Sequence, residues 1–298
     1  MDVHTRLLRY FTAVAEEGGL TRAAERLYVS QPAVTKQIHR LEDLLGARLF
    51  DRTPTGMRLT AAGHALAGRA PALLAAWEEA ARDVRLAADR EARVLPVGFI
   101  ASGGPASAVQ AAFARVRPDW RIELRQAPWS DPTAGLADRR VRAALVLLPV
   151  PAREDLRVEV LYTEPRSVVL AVGHPLAERE VVRLEELEDE PFVAAPEHTG
   201  AWRDHWLAAG ERTSRPRRVG AVAEHPDEWL NAIAAGLGVA LAPESGARYY
   251  AHPGVVYRPL AGVSPVQAGV AWLPEADGDP VVADFVECCR EAFGTPAP

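Results

Sequence analysis

The tightest constraint on this chain lies in its first sixty residues, where apolar side chains recur at helical spacing in three bursts separated by short turn-forming breaks. Leu7, Phe11 and Val14 fall at i, i+4 and i+7, one face of a helix that Gly18-Gly19 should end. Thr21 is suited to cap a second, short helix that turns Ala24 and Leu27 inward. Tyr28-Val29 then form a turn. Ser30, with Pro32 in the first turn, opens a longer helix on which Val34, Ile38, Leu41 and Leu45 repeat at intervals of four, three and four. Helices this short bury their stripes only against one another, and short helix, tight turn, longer helix is the pattern of a helix-turn-helix. Residues 49–60 read as two short strands around Thr53-Pro54-Thr55-Gly56, a wing.

If Val34, Ile38 and Leu41 face inward, Gln31, Thr35, Lys36 and His39 face out. Gln31 suits adenine, Thr35 offers a hydroxyl and a methyl, and Lys36 can reach guanine or phosphate. Arg22, Arg26, Arg52 and Arg58 are available for phosphates, which supply affinity more than sequence choice. The bland alternative is a small helical bundle with a solvated polar face. The overall charge of −6 divides unevenly. Residues 1–60 hold nine Arg and Lys against seven Asp and Glu, and the remainder holds 25 against 33. Such asymmetry fits a chain whose first segment meets nucleic acid.

The run Leu20-Thr21-Arg22-Ala23-Ala24-Glu25-Arg26-Leu27, then Val29-Ser30-Gln31-Pro32-Ala33-Val34-Thr35, with Ile38, Leu41-Glu42, Leu45-Gly46, Leu49-Phe50-Asp51-Arg52 and Leu59-Thr60, Ala62-Gly63, resembles the LysR family of bacterial transcription regulators. The resemblance implies that Ser30, Gln31, Pro32, Ala33, Thr35 and Lys36 meet operator DNA at the major groove. It further implies that Arg52 of the wing approaches the minor groove or backbone. The expected DNA-binding domain is residues 1–60.

Thr60 can cap a helix running to about residue 90, the expected linker over 61–90. Leu66, Leu73, Ala80 and Ala87 repeat every seven residues beside Ala70, Trp77 and Val84, a stripe suited to pairing two copies as a homodimer or a dimer of dimers. Packing onto its own domain is the alternative. Pro71 inside that helix predicts a kink or break.

Beyond residue 91 strands and helices alternate: strands at 94–99, 120–126, 143–148, 167–172, 192–195, 219–223 and 239–242, with helices ending at about 117, near 201–209 and over 226–235. This is an α/β pattern, in which ligands bind outside the carboxyl ends of strands. His174-Pro175-Leu176-Ala177, Leu184-Glu185-Glu186-Leu187 and the run Ala234-Ala235-Gly236-Leu237-Gly238-Val239-Ala240-Leu241-Ala242-Pro243 extend the resemblance to the family's effector domain, which is similar to periplasmic binding proteins. It implies an effector-binding domain over 91–298 with subdomain I at about 91–163 and 268–298, and subdomain II at about 164–267. The fold class expected is thus α plus α/β, a winged helix-turn-helix, a linker helix and a two-subdomain effector domain.

Family position points to Ser102 and Gly103, at a strand-to-helix turn suited to an anion, and to Thr199 as effector contacts. Plain helix capping is the other reading of Ser102 and Thr199. Trp129 and His198 follow strands and are candidates for the mouth of the cleft, and His225, capping the helix after Glu224, is a further candidate. Trp202 and Trp206 read as core. Arg142, where the family usually carries Asp, reads as a solvated basic helix end or as an added cation that would bias the cleft toward an acidic effector.

No Gly-x-Ser-x-Gly, His-Glu-x-x-His, Walker or dinucleotide motif occurs, and His198 and His205 lack the helical spacing of metal ligands. Neither catalytic residues nor a metal or cofactor is expected. A plain solute-binding protein would leave the first sixty residues unexplained and would need an export signal, whereas Glu16, Glu17 and Glu25 interrupt the start and no 18-residue apolar run exists. A cytoplasmic protein without membrane contact is the expectation. Adjacent Cys288 and Cys289 read as one buried and one half-exposed thiol rather than a redox switch.

Overall fold

The computed structural model describes residues 3–54, 56–100, 106–151, 155–211 and 218–294. The chain divides into two compact units, residues 1–88 and 89–298.

In the first unit α1 (Thr5–Glu17), α2 (Leu20–Arg26) and α3 (Gln31–Leu45) pack on one core of Leu7, Phe11, Val14, Ala23, Val34, Ile38, Leu41 and Phe50. Phe11 and Phe50 meet at 5.3 Å between ring centres, a contact of about 1 kcal/mol beyond its buried area. Gly18 ends α1 in the left-handed region, and its carbonyl accepts from Met57 N at 2.9 Å. That close approach leaves Gly56 no room for a Cβ, which would lie 2.4 Å from the same oxygen. The wing is the antiparallel pair β1 (Phe50–Thr53) and β2 (Gly56–Leu59), with Phe50 opposite Leu59. Glu42 Oε1 accepts from Leu49 N at 2.7 Å and so ties the end of α3 to the wing.

Two local expectations are corrected. Gly19, not Thr21, occupies the N-cap of α2, because the helix already begins at Leu20. Ser30 does sit at the N-cap of α3 in extended conformation, but its side chain makes no capping bond.

Thr60 caps α4 (Ala61–Ala67), its oxygen accepting from Gly63 N at 3.0 Å. The helix breaks at Gly68 and Arg69 and restarts as α5 (Ala70–Glu91), which places Pro71 in a first turn, where no donor is lost. Along α5 the side chains of Leu73, Trp77 and Val84 are more than half exposed.

The second unit holds two lobes. In the first, β3 (Val94–Phe99), α6 (Ala106–Val116), β4 (Arg121–Gln126), β5 (Ala143–Leu147) and β6 (Arg157–Glu164), with the later strand β13 (Val266–Trp272), give a five-stranded sheet, order β4-β3-β5-β13-β6. In the second, β7 (Arg166–Ala171), β8 (Val182–Arg183), β9 (Phe192–Ala194), α7 (Ala201–Trp206), β10 (Val219–Val222), α8 (Pro226–Ala234), β11 (Ala240–Pro243), α9 (Gly246–Tyr249) and β12 (Val255–Ala261) follow in order. There β11-β7-β12-β8 form one sheet and β10-β9 a parallel pair. The chain returns as β13 (Val266–Trp272), antiparallel to both β5 and β6, and ends in α10 (Pro280–Gly294) beside α6. It therefore crosses between sheets twice, at residue 165 and over 262–265.

Arg142 matches neither of its readings. It belongs to no helix and is 7% exposed at the amino end of β5, where it pairs with Asp279 and its backbone N–H donates to Pro96 O at 3.0 Å. Burial lowers its pKa to about 10. Leu147, at the other end of the strand, is about 16 Å away at roughly 3.3 Å per residue, so Arg142 adds no cation at the carboxyl ends. Both cysteines are buried in the core between α6, α10 and the first sheet, and burial pushes both thiols up, which corrects the half-exposed reading of one of them.

Candidate functional site

The amino end of α3 and the wing bound one shallow open groove lined by Gln31, Pro32, Thr35, Lys36, Gln37, His39, Arg40, Asp43 and Arg52. The register of α3 produces this: Val34, Ile38 and Leu41 are 0–2% exposed, so the intervening residues are turned out. Gln31 Nε2 donates to Thr35 Oγ1 at 3.2 Å, and Thr35 Oγ1 donates to Gln31 O at 3.1 Å, which orders both without burying either. Ser30 is exposed and makes no side-chain cap bond, and Ala33 is half-buried and does not line the groove among the described residues.

The arginines divide. Arg26 is held by Glu16 at 2.6 Å and Glu17 at 3.1 Å, and Arg22 Nε donates to Glu17 O at 3.0 Å, so both are engaged within their own domain. Arg58 lies 3.8 Å from Asp51. Among the described residues Lys36, Arg40 and Arg52 have no ion-pair partner. Arg40, one turn beyond Lys36 on the exposed face, belongs with the groove residues, and its i+4 spacing from Lys36 was the available signal.

Between the two lobes of the second unit lies a second concavity. Its first-lobe wall is Trp129, beyond β4, and Leu147, at the carboxyl end of β5. Its second-lobe wall is Val193, Ala195, Trp202, Trp206, Trp229, Leu241, Ala242, Pro243, Gly246 and Tyr250. The free volume is about 60 Å³. Trp129 touches Trp202 at 6.5 Å and Trp229 at 5.5 Å, and Trp202 touches Trp206 at 5.9 Å between ring centres.

Trp129 also joins the lobes. Its indole N–H donates to Ile100 O at 3.0 Å and its backbone N–H to Glu224 O at 2.8 Å. Beside it Ser130 Oγ donates to Glu224 Oε2 at 2.6 Å, and His198 Nε2 is 3.1 Å from Ser130 O. Trp129 and His198 are thus brought to one edge of the cleft. His225 is exposed at the N-cap of α8 without a side-chain cap bond. Thr199 is buried in a 3-10 turn with its hydroxyl donated to Pro196 O at 2.7 Å, which occupies its proton and leaves only acceptor capacity. Ser102 and Gly103 lie outside the described residues. The expectation that Trp202 and Trp206 are core alone is corrected, since both line the cleft as well as packing on its wall. Sequence reasoning also passed over Trp229 and Tyr250.

At the crossing between lobes Arg166, its side chain fully buried, donates from Nε to Ser264 O at 2.6 Å, from Nη1 to His205 O at 2.8 Å, and from Nη2 to Ser264 Oγ at 3.0 Å and to Glu211. Burial pulls the Glu211 pKa up, but the Ser264 hydroxyl and Arg166 outweigh it and hold the carboxyl below its ordinary range. Burial, aided by the charge of Arg166, lowers the His205 pKa to about 4.

Residues 5–64 match the model of the bacterial regulatory helix-turn-helix protein, lysR family, and residues 88–294 match the LysR substrate binding domain. The chain belongs to the LysR family. It is a transcription regulator, not an enzyme. This LysR-type regulator is 33% identical to the Hca operon transcriptional activator HcaR of Escherichia coli, over 97% of this chain and 98% of that protein. It is 32% identical to the HTH-type transcriptional regulator TfdS of Cupriavidus pinatubonensis, with the same coverage. Among solved structures it is similar to the LysR family regulator CbnR, at 25% identity and a TM-score of 0.54, over 97% of this chain and 100% of that one. CbnR has also been solved in complex with target DNA, with a TM-score of 0.51 to this chain. Among the described residues no helix of the regulator is long and apolar enough to cross a membrane, and no group of three or more acidic, His or Cys side chains is placed to hold a metal.

Proposed function

We propose that the regulator reads operator DNA through Ser30, Gln31, Pro32, Ala33, Thr35 and Lys36, with Arg40 and Arg52 on phosphates, and that a small-molecule effector between the lobes of the second unit tunes that binding. The observation that carries the first part is the convergence of Gln31, Thr35, Lys36 and Arg52 on one groove, with Lys36 and Arg52 free of ion partners among the described residues. Bidentate donors at the start of an exposed helix suit base edges, and unpaired cations suit phosphate. Binding by the Thr35→Ala, Lys36→Ala double variant that matches the wild type on the operator would refute this assignment.

The effector contacts proposed are Trp129, His198, Thr199 and His225 with Ser102 and Gly103, around a cleft at the carboxyl ends of β4 and β5. Its support is the direct bonding of Trp129 and Ser130 to Glu224 across the cleft, so that a molecule entering there must alter how the lobes meet. A thermal-shift screen of small organic molecules tests it, because a ligand at 100 times its Kd adds about 2.7 kcal/mol of stability. Assembly as a dimer through α5, and as a dimer of dimers, is proposed from the exposed Leu73, Trp77 and Val84. A modest positive charge on one DNA head calls for a second. Light scattering at micromolar concentration decides it, and a monomer that binds one half-site tightly refutes it. Operator binding by a member of this bacterial regulator family supports a cytoplasmic location.

A further inference from the structure

We infer that the occupant of the interlobe cleft is a small, uncharged, planar ring compound carrying a hydrogen-bond acceptor, which the indole N–H groups of Trp202 and Trp206 bind. The inference rests on the reading of this cleft as the effector site and goes on to name its ligand chemistry.

Three observations converge. Among the described residues the lining is aromatic and aliphatic, and no charged side chain takes part in it. An ion of either sign brought against such a wall loses its hydration without a compensating partner. A ring compound instead gains contact with the faces and edges of four indoles.

The second observation is chemical. The indole nitrogens of Trp202 and Trp206 are both buried with no acceptor among the described residues. Buried indole N–H groups ordinarily have a partner, and each orphan costs about 1–3 kcal/mol. Two such donors, on neighbouring rings 5.9 Å apart between centres and both belonging to residues of the cleft wall, are unmet donors that a ligand acceptor would satisfy. Trp129, by contrast, spends its N–H on Ile100 O and contributes only its ring.

The third is size. About 60 Å³ of free volume is well under the roughly 150 Å³ of an apolar cavity that holds benzene. A single ring therefore enters only as the lobes part. The bonds from Trp129 and Ser130 to Glu224, and His198 against Ser130 O, are among the contacts that would give as a ring enters.

The test uses the full chain and three matched probes. Acetophenone has a ring and a neutral acceptor, cumene has a ring of similar shape without one, and benzoate has a ring with a charge. By calorimetry the wild type is expected to bind acetophenone at least tenfold tighter than either of the others. In the Trp202→Phe, Trp206→Phe double variant, which keeps aromatic rings but no N–H, the preference over cumene should collapse to less than threefold. Benzoate binding as tightly as acetophenone overturns the inference, as does an undiminished preference in the double variant, or no binding by any ring probe. Ala195→Leu, or Ala242→Leu if the first does not fold by its melting curve, fills the cleft and separates this inference from the reading beneath it. A ring probe that binds the filled variant as it binds the wild type sits elsewhere, and then the cleft reading itself fails. If no ring probe binds but an acyclic acid shifts operator affinity in the wild type and not in the filled variant, the cleft reading stands and the ring chemistry is wrong.

Discussion

Replacing Arg166 by Met removes the buried guanidinium at the crossing between the two lobes and retains most of the side-chain volume. The guanidinium makes four hydrogen bonds, to two backbone carbonyls, the Ser264 hydroxyl and the Glu211 carboxylate, with none of its own surface exposed. After the change the carbonyls of His205 and Ser264 lose charge-assisted donors, and Glu211, 22% exposed, is left with Ser264 alone. Breaking a buried ion pair from one side costs about 3–5 kcal/mol, because the remaining charge keeps its desolvation penalty and loses its compensation. Partial exposure of Glu211 puts the expectation at the lower end, about 3 kcal/mol. Glu211→Gln should cost less, about 1–2 kcal/mol, since the amide still accepts from Ser264 and Arg166. The double variant should cost less than the sum of the two, with a coupling of at least about 1 kcal/mol. Urea unfolding followed by circular dichroism measures all three, read on the transition of the second unit with an unchanged slope. A loss below 1 kcal/mol for Arg166→Met, or strict additivity, would show that this network is incidental to the lobe junction.

Four further outcomes are expected. His205, with its pKa lowered to about 4 in the folded state against about 6.5 unfolded, stays neutral where the unfolded chain takes up a proton. Stability should thus fall as pH drops from about 6.5 to 4, by at most about 3 kcal/mol and about half of that after solvent screening; pH-dependent melts of His205→Gln against wild type isolate the effect, and equal slopes disprove it. Arg52→Ala should weaken binding to all sequences alike and reduce the slope of log affinity against log salt by about one unit in gel-shift titrations, whereas Thr35→Ala or Lys36→Ala should cost about 1–3 kcal/mol on the operator alone if either reads a base. Gly98→Ala should destabilise the second unit by about 3 kcal/mol in denaturant titrations, since its Cβ would sit 1.8 Å from Ala134 O, a backbone atom that cannot step aside. Cys288→Ala with Cys289→Ala should leave operator binding and its response to peroxide unchanged by footprinting, because both thiols are buried with raised pKa values; peroxide sensitivity in the wild type that the double variant lacks would overturn this.

The amino-acid sequence alone determined the helix-turn-helix, the wing and the α/β class. Leu7, Phe11, Val14, Val34, Ile38 and Leu41 state their burial through spacing, Gly18 and Gly46 stop their helices in the left-handed region, and local signals of this kind act within a few residues. Strands β6, β12 and β13 were not legible as strands. β6 is an edge strand whose Arg157, Val158, Glu159 and Val160 alternate in the wrong sense for a simple buried face, and the other two take their places by pairing with segments about a hundred residues away. Arg142 reads alike whether it is solvated or buried, and only the arrival of Asp279 from the start of α10 decides between them. The aromatic cleft was hidden for the same reason. A tryptophan that fills a core and one that lines a cleft have the same spacing, and the difference lies in what the opposite lobe brings up to it. Trp129 and Trp202 are seventy-odd residues apart, on segments that meet only because the chain crosses between sheets twice, and such long-range juxtaposition is a property of the packed fold rather than of any stretch of sequence.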